Sequence, residues 1–282
     1  MRKWAALAGF MAFVVLAGLG VVAVVRMLDN VPKLLPSGYP CKVGVPAGTE
    51  VELEAGQLAN AATIAAVGIR RGIPRQGIVV ALATAWQESK LENLTGGDRD
   101  SIGLFQQRPS QGWGKAEEIA DPRYASARFY NALVRVKGWQ DMRVTDAAQA
   151  VQRSAYPEAY EKWADESLVL ATALAGEAGG SVGCTVDGKP ESRGVAAAEA
   201  LVQGLRLDWG DKTGTLDAAG VSVTVRNEQA GWQYAHWLVA HATDRGVRRV
   251  TFGGRQWDAE SGSWASGDGT ATGTVVVAEV HS

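Results

Sequence analysis

The chain changes its hydrophobic rhythm partway along, and that change limits its fold more than any other feature. Between residues 54 and 176 apolar side chains recur every three or four positions, the mark of helices with one buried face. Leu58, Ala62, Ala65 and Ile69 form one such stripe, and Arg70, Arg71 and Gly72 make a dipole-matched stop before Pro74. Ile78, Leu82, Ala85 and Ser89 form a second stripe, and Ala125, Phe129, Leu133 and Val136 a third, opened by the N-cap pair Asp121-Pro122. Further helices are predicted over 145–153 and 157–176, and residues 92–108 read as a hairpin region. Beyond residue 194 strand-like alternation enters, at 221–225, 247–252, 255–265 and 272–280, around helices at 195–205 and 228–245. The predicted fold class is therefore α+β: a mainly helical domain at 49–184 with a small β-hairpin region, a linker at 185–194, and a small α+β domain at 195–282.

The first 48 residues stand apart from this pattern. The run from Trp4 to Val25 carries no charge and is flanked by Arg2, Lys3 and Arg26. As a helix it would reach ~33 Å at ~1.5 Å per residue, enough to cross a bilayer. A cleaved signal peptide is the rival reading, but no Ala-x-Ala site follows Val25. Residues 1–28 are accordingly expected to be an uncleaved transmembrane anchor and 29–48 a proline-rich extracytoplasmic spacer. The expected location is the cell membrane, single-pass, with most of the chain outside. Two cysteines, Cys41 and Cys184, suggest a disulfide in that compartment. They stand 143 residues apart and have no metal-ligand spacing. A net charge of −2 supplies no field for nucleic acid, which is excluded as a partner.

Chemistry concentrates in "ATAWQESKLENLTGGDRDSIGLFQQRPSQGWG", residues 83–114. Glu88 is a lone carboxyl in the last turn of an apolar helix, facing a polar turn. Apolar surroundings and the negative end of a helix both favour the protonated form, which a general acid for glycosidic cleavage needs. A plain surface ion pair with Lys90 or Arg99 is the competing reading. Asp98 and Asp100 could orient a water or offset positive charge on a sugar, although aspartate near glycine commonly just shapes a turn. Trp113, between Gly112 and Gly114, offers a face for sugar stacking, and Gln107 an amide for sugar hydroxyls. Trp86 reads as core. Asp98-x-Asp100 with Gly103 lacks the ligands of a calcium loop at Ile102 and Pro109. No metal site and no cofactor are expected.

Gln87-Glu88-Ser89 followed by Gly103-Leu104-Phe105-Gln106 resembles the lysozyme-like superfamily, in its goose-type lysozyme and lytic transglycosylase branch. The longer string from Gly97 to Gly114 looks like membrane-anchored actinobacterial members, and the similarity spans about residues 41–184. The resemblance implies a sugar cleft with Glu88 as catalytic acid, beside Ser89, and Gln106 as a cleft residue. It also implies Tyr156 near the acid, through Ala155-Tyr156-Pro157. Pro157 and Phe105 depart from the family's Asn and Met. The function this implies is a membrane-anchored peptidoglycan glycosidase, muramidase or lytic transglycosylase, acting on glycan strands. A non-catalytic wall-binding or assembly module with the same fold is the alternative. No protein partner is indicated.

Overall fold

The computed structural model describes residues 40–46, 49–186, 192–210, 214–217, 220–267 and 273–282. These fall in one compact unit, Tyr39–Ser282.

The helical half follows its stripes closely. Helix α1 (Ala55–Arg70) opens where the Gln57 side chain accepts from the Glu54 amide at 2.9 Å, and it ends with Arg70 in its last turn. Helix α2 (Arg75–Ser89) is buried almost continuously from Gly77 to Trp86, which makes it the central helix of this half. It stops at Lys90, whose left-handed conformation caps it. The short α3 (Ala116–Ile119) leads into α4 (Pro122–Leu133), where Asp121 accepts from the Arg123 amide at 2.9 Å as an N-cap. Then come α5 (Val144–Gln152) and α6 (Ala164–Leu174). The helix predicted from residue 157 begins only at Ala164. The preceding stretch is held instead by the start of α5: Glu161 accepts from the Thr145 amide at 3.0 Å, and the Thr145 hydroxyl donates to the Pro157 carbonyl.

The expected hairpin at 92–108 is a series of turns closed by one bridge, Ile102 to Gln107. Its physical cause is backbone curvature: Gly103 and Gln106 both have positive φ, and a Cβ on Gly103 would lie 2.9 Å from the Ile119 carbonyl. The small sheet forms elsewhere, from β1 (Cys41–Val43), β2 (Val51–Leu53) and β3 (Val182–Cys184), all antiparallel in the order β2-β1-β3. Cys41 pairs with Cys184 in register, and their disulfide crosses this ladder.

The second half contains α7 (Gly194–Trp209), α8 (Glu228–Ala240) and α9 (Ala242–Arg245). Around them lies an antiparallel sheet of β4 (Thr215–Asp217), β5 (Gly220–Thr224), β6 (Val247–Phe252), β7 (Arg255–Asp258), β8 (Trp264–Ser266) and β9 (Val275–Val280). Its order is β4-β5-β9-β6-β7-β8, so the last strand inserts between β5 and β6. Val221, Val223, Val250, Phe252, Val276 and Ala278 alternate inward from it into the core.

The halves are joined by buried polar contacts as well as by one continuous apolar cluster. Asp208 of α7 is fully buried and accepts from Thr63 of α1 at 2.9 Å and from the Trp237 indole at 2.8 Å. Arg123 of α4 meets its other oxygen at 2.5 Å. His236 of α8 lies between the Ala173 carbonyl, at 2.8 Å, and the Ser181 amide, at 3.3 Å. Burial holds its imidazole down at about 4, so it stays neutral.

The expectation of a transmembrane anchor, and with it a cell-membrane location, is corrected here. Among the described residues no helix is long and apolar enough to cross a membrane. The apolar run at 4–25 lies outside the described residues, as do the start of the spacer and the middle of the linker, 187–191.

Candidate functional site

The last turn of α2 is fixed from below by Ser89. Its hydroxyl stands 3.0 Å from the Ala85 carbonyl and 2.8 Å from the Leu104 carbonyl, tying the helix end to the 103–106 turn. One residue earlier, Glu88 is half-buried. Its Oε1 accepts from the Tyr160 hydroxyl at 2.7 Å and from the Gln152 amide at 3.1 Å. The same Gln152 amide donates to the Phe105 carbonyl at 2.9 Å. Two separate segments therefore converge on one carboxylate oxygen, and Gln152 ties them to the 103–106 turn, while Oε2 accepts no hydrogen bond among the described residues. The Tyr160 ring is fully buried. Burial first, then the charge of Glu88, lifts its hydroxyl well above the ordinary phenol range, so it remains a donor at any working pH.

Aromatic packing stiffens the other side. Trp163 stacks on Trp86 with ring centres 5.2 Å apart, and its indole donates to the Gln87 side chain at 3.0 Å. The ammonium of Lys90 sits 4.3 Å from the Trp163 ring centre; desolvation, aided by neighbouring Lys162, lowers its pKa. Five non-glycine residues have positive φ among the described residues, and four of them surround this place. Lys90 and Leu91 follow Glu88, Gln106 follows Phe105, and Arg153 follows Gln152. Backbone held in sparsely populated conformations gathers at functional sites, where the surrounding packing enforces it.

A groove of about 560 Å³ is linked to the acid through Gln152, although Glu88 itself does not line it. Trp113, Gln111, Val136, Arg135, Gln152 and Arg153 line it, and Gln152 joins it to Glu88. The Trp113 loop is held in place by Arg128, which donates to the Gly112 and Trp113 carbonyls at 2.8 and 2.9 Å.

The structure separates the residues singled out from sequence. Glu88, Ser89 and Trp113 gather at this site or on its groove. Asp100 is committed to the turn: Arg108 bonds it at 2.8 Å, and Ser110 donates from its amide and its hydroxyl. That guanidinium, with the Ser110 bonds, keeps its carboxyl far below the usual range. The Asp98 side chain is 89% exposed, its nearest cation Arg99 at 3.9 Å. Gln106 folds back to donate to the Gly103 carbonyl at 3.1 Å, and Gln107 is buried against the Ala125 carbonyl. Tyr156 is 76% exposed, and the place beside the acid belongs to Tyr160. Sequence reasoning missed Tyr160, Gln152 and Trp163. One signal was present: the Ala-Tyr pair occurs twice, at Ala155-Tyr156 and again at Ala159-Tyr160. No family model matches the chain, and no curated protein matches it.

Proposed function

We propose that this protein cleaves the glycosidic bond between N-acetylmuramic acid and N-acetylglucosamine in peptidoglycan, with Glu88 as its general acid. The observation that carries the reading is the asymmetry of that half-buried carboxyl: Oε1 is fixed by Tyr160 and Gln152, and Oε2 carries no hydrogen bond among the described residues. Rigid placement of the acid is what general acid catalysis requires before its chemistry can begin. The likeness of Gln87-Glu88-Ser89 and Gly103-Leu104-Phe105-Gln106 to the lysozyme-like superfamily supports the same assignment.

In this mechanism Oε2 hands its proton to the bridging oxygen as the bond from the sugar's anomeric carbon to that oxygen breaks. The leaving sugar departs as a neutral alcohol, and Glu88 is left as a carboxylate facing an electron-poor anomeric carbon. An oxygen nucleophile then adds to that carbon and returns its proton to Glu88. Retaining and inverting hydrolysis ordinarily use a second carboxylate, as nucleophile or as base for water. Asp100 is spent on Arg108 and Ser110, and Asp98 has no contact with the acid's neighbourhood. This favours the route that needs one carboxylate, in which the sugar's own hydroxyl is the nucleophile and an anhydro end results.

Digestion of purified cell wall, followed by mass spectrometry of the fragments, tests both parts. Anhydro ends, lighter by one water than hydrolysed ends, are expected, and Glu88→Gln should remove them while leaving glycan binding intact. A Glu88→Gln protein that digests wall at the parental rate would end the proposal.

A further inference from the structure

The groove that Gln152 links to Glu88 is cationic. Arg135, in the turn after α4, and Arg153, the cap of α5, both line it, and no carboxylate does. Neither guanidinium has an ion pair among the described residues, whereas Arg108, Arg123 and Arg143 each have an acidic partner. Arg153 also keeps a left-handed backbone at φ 52°, where helices usually end in glycine or asparagine. Its neighbour Gln152 bonds Glu88, so a long cation is held one residue from the acid's own support. Trp113 and Gln111 supply an apolar face and an amide in the same groove.

We infer that Arg135 and Arg153 select glycan strands that bear carboxylates, and seat those carboxylates in the groove while Glu88 faces the sugar linkage. The inference rests on the reading of Glu88 as the cleaving acid. A planar guanidinium matches a carboxylate in two parallel hydrogen bonds, a geometry that an ammonium or an amide does not reproduce. Trp113 then covers a sugar face, and the strand's acidic substituents lie along the arginine side. Two sources would present this group: the lactyl ether of a muramic residue, or the peptide attached to it.

The test uses the full chain carrying Glu88→Gln, so that binding is measured without turnover. Its probes are peptide-bearing strands, strands stripped to the lactyl carboxylate, and a neutral N-acetylglucosamine oligomer. Arg135→Gln and Arg153→Gln should each weaken binding of carboxylate-bearing strands by roughly three- to fivefold, as exposed ion pairs do. The neutral oligomer should bind unchanged, and added salt should erase the difference. Because the peptide is joined to the lactyl carboxyl as an amide, weakening on stripped strands assigns the lactyl carboxylate, and weakening confined to peptide-bearing strands assigns the carboxylates of the peptide. Equal weakening of the neutral oligomer, or no weakening of any strand, overturns the inference. Arginine-dependent binding by a parent protein that cuts no strand would instead sink the cleavage reading, and with it the placement of the linkage at Glu88, while leaving carboxylate recognition by the two arginines in place. Arg135→Lys guards against misfolding: it should bind between the parent and Arg135→Gln, and an affinity no better than Arg135→Gln counts against the paired-bond geometry.

Discussion

Tyr160→Phe isolates the hydroxyl on which the placement of Glu88 depends. The ring is fully buried and would stay where it is, so the loss is the 2.7 Å bond to Oε1 together with a lesser interaction with the Ser154 hydroxyl. Hydrogen bonds to a charged partner contribute about 1.5–3 kcal/mol. At about 1.4 kcal/mol per decade, the corresponding loss in turnover is roughly 10- to 100-fold. Gln152 continues to hold the same oxygen at 3.1 Å, which places the expectation toward the lower end. Because the ring's packing is retained, the melting temperature should move little. The fall should appear in kcat, with KM for wall fragments nearly unchanged, since Tyr160 does not line the groove. Tyr156→Phe is the matched control, a 76% exposed tyrosine four positions upstream. Rates on purified wall for the two variants decide the matter. If Tyr160→Phe turns over as fast as the parent while Glu88→Gln is dead, the hydroxyl does not position the acid. If Tyr156→Phe loses as much, the assignment of Tyr160 as the tyrosine that positions Glu88 is wrong.

Two further outcomes follow from buried ionisable groups. Asp208→Asn leaves the Arg123 guanidinium with only the half-exposed Asp121, 3.6 Å away, as counter-charge, and should cost about 3 kcal/mol in denaturant unfolding, the lower end for a broken buried pair; adding Arg123→Gln should recover part of that loss, and strictly additive losses would show that the two groups do not interact. His236 is held at about 4 when folded and has an ordinary value of 6.5 when unfolded, so below pH 6.5 the unfolded chain takes up the proton first. Its contribution is complete above pH 6.5 and is lost as pH falls toward 4, about 3 kcal/mol over that window. His236→Gln should therefore lose about that much less than the parent between pH 7 and pH 4, and parallel losses in the two proteins would refute the burial argument.

What was legible in the sequence followed from local rules. Asp121-Pro122 names a helix start whatever surrounds it, and the stripe ending at Ser89 places Glu88 in the last turn of a buried helix. The six-stranded sheet was visible in part because several of its strands are long enough to alternate. Strands β1, β2 and β3, three residues each, are too short to show a period, and only pairing across the disulfide makes them a sheet. Tyr160 was hidden for a different reason. Its position depends on the chain between α5 and α6 not being α-helical before the 3-10 turn at Glu161–Trp163, and that is decided by Thr145 and Glu161 across a tertiary contact. Local preference at Pro157 favoured a helix start, and the tertiary bonds prevailed.

A different set of bonds, from α8 to the end of α6, makes the second half part of the site's support. Tyr160 and Trp163 enter directly into α6, and the far end of α6 is secured by side chains of α8. His236 lies against the Ala173 carbonyl, and Gln229 and Gln233 both donate to the Ala175 carbonyl at 3.0 Å. The near end of α6 meets α2 through the Trp86–Trp163 stack. A shift of α6 along its axis would thus have to break bonds to α8 at one end or displace the Glu88 shell at the other. Cutting the chain after β3 would also uncover Thr63 and Arg123, whose buried partner Asp208 lies on α7. The helical half alone would carry exposed apolar surface and unpaired polar groups along this seam. If Glu88 is the acid proposed above, a loss of wall cleavage by the isolated helical half would report that damage rather than the chemistry of the carboxyl.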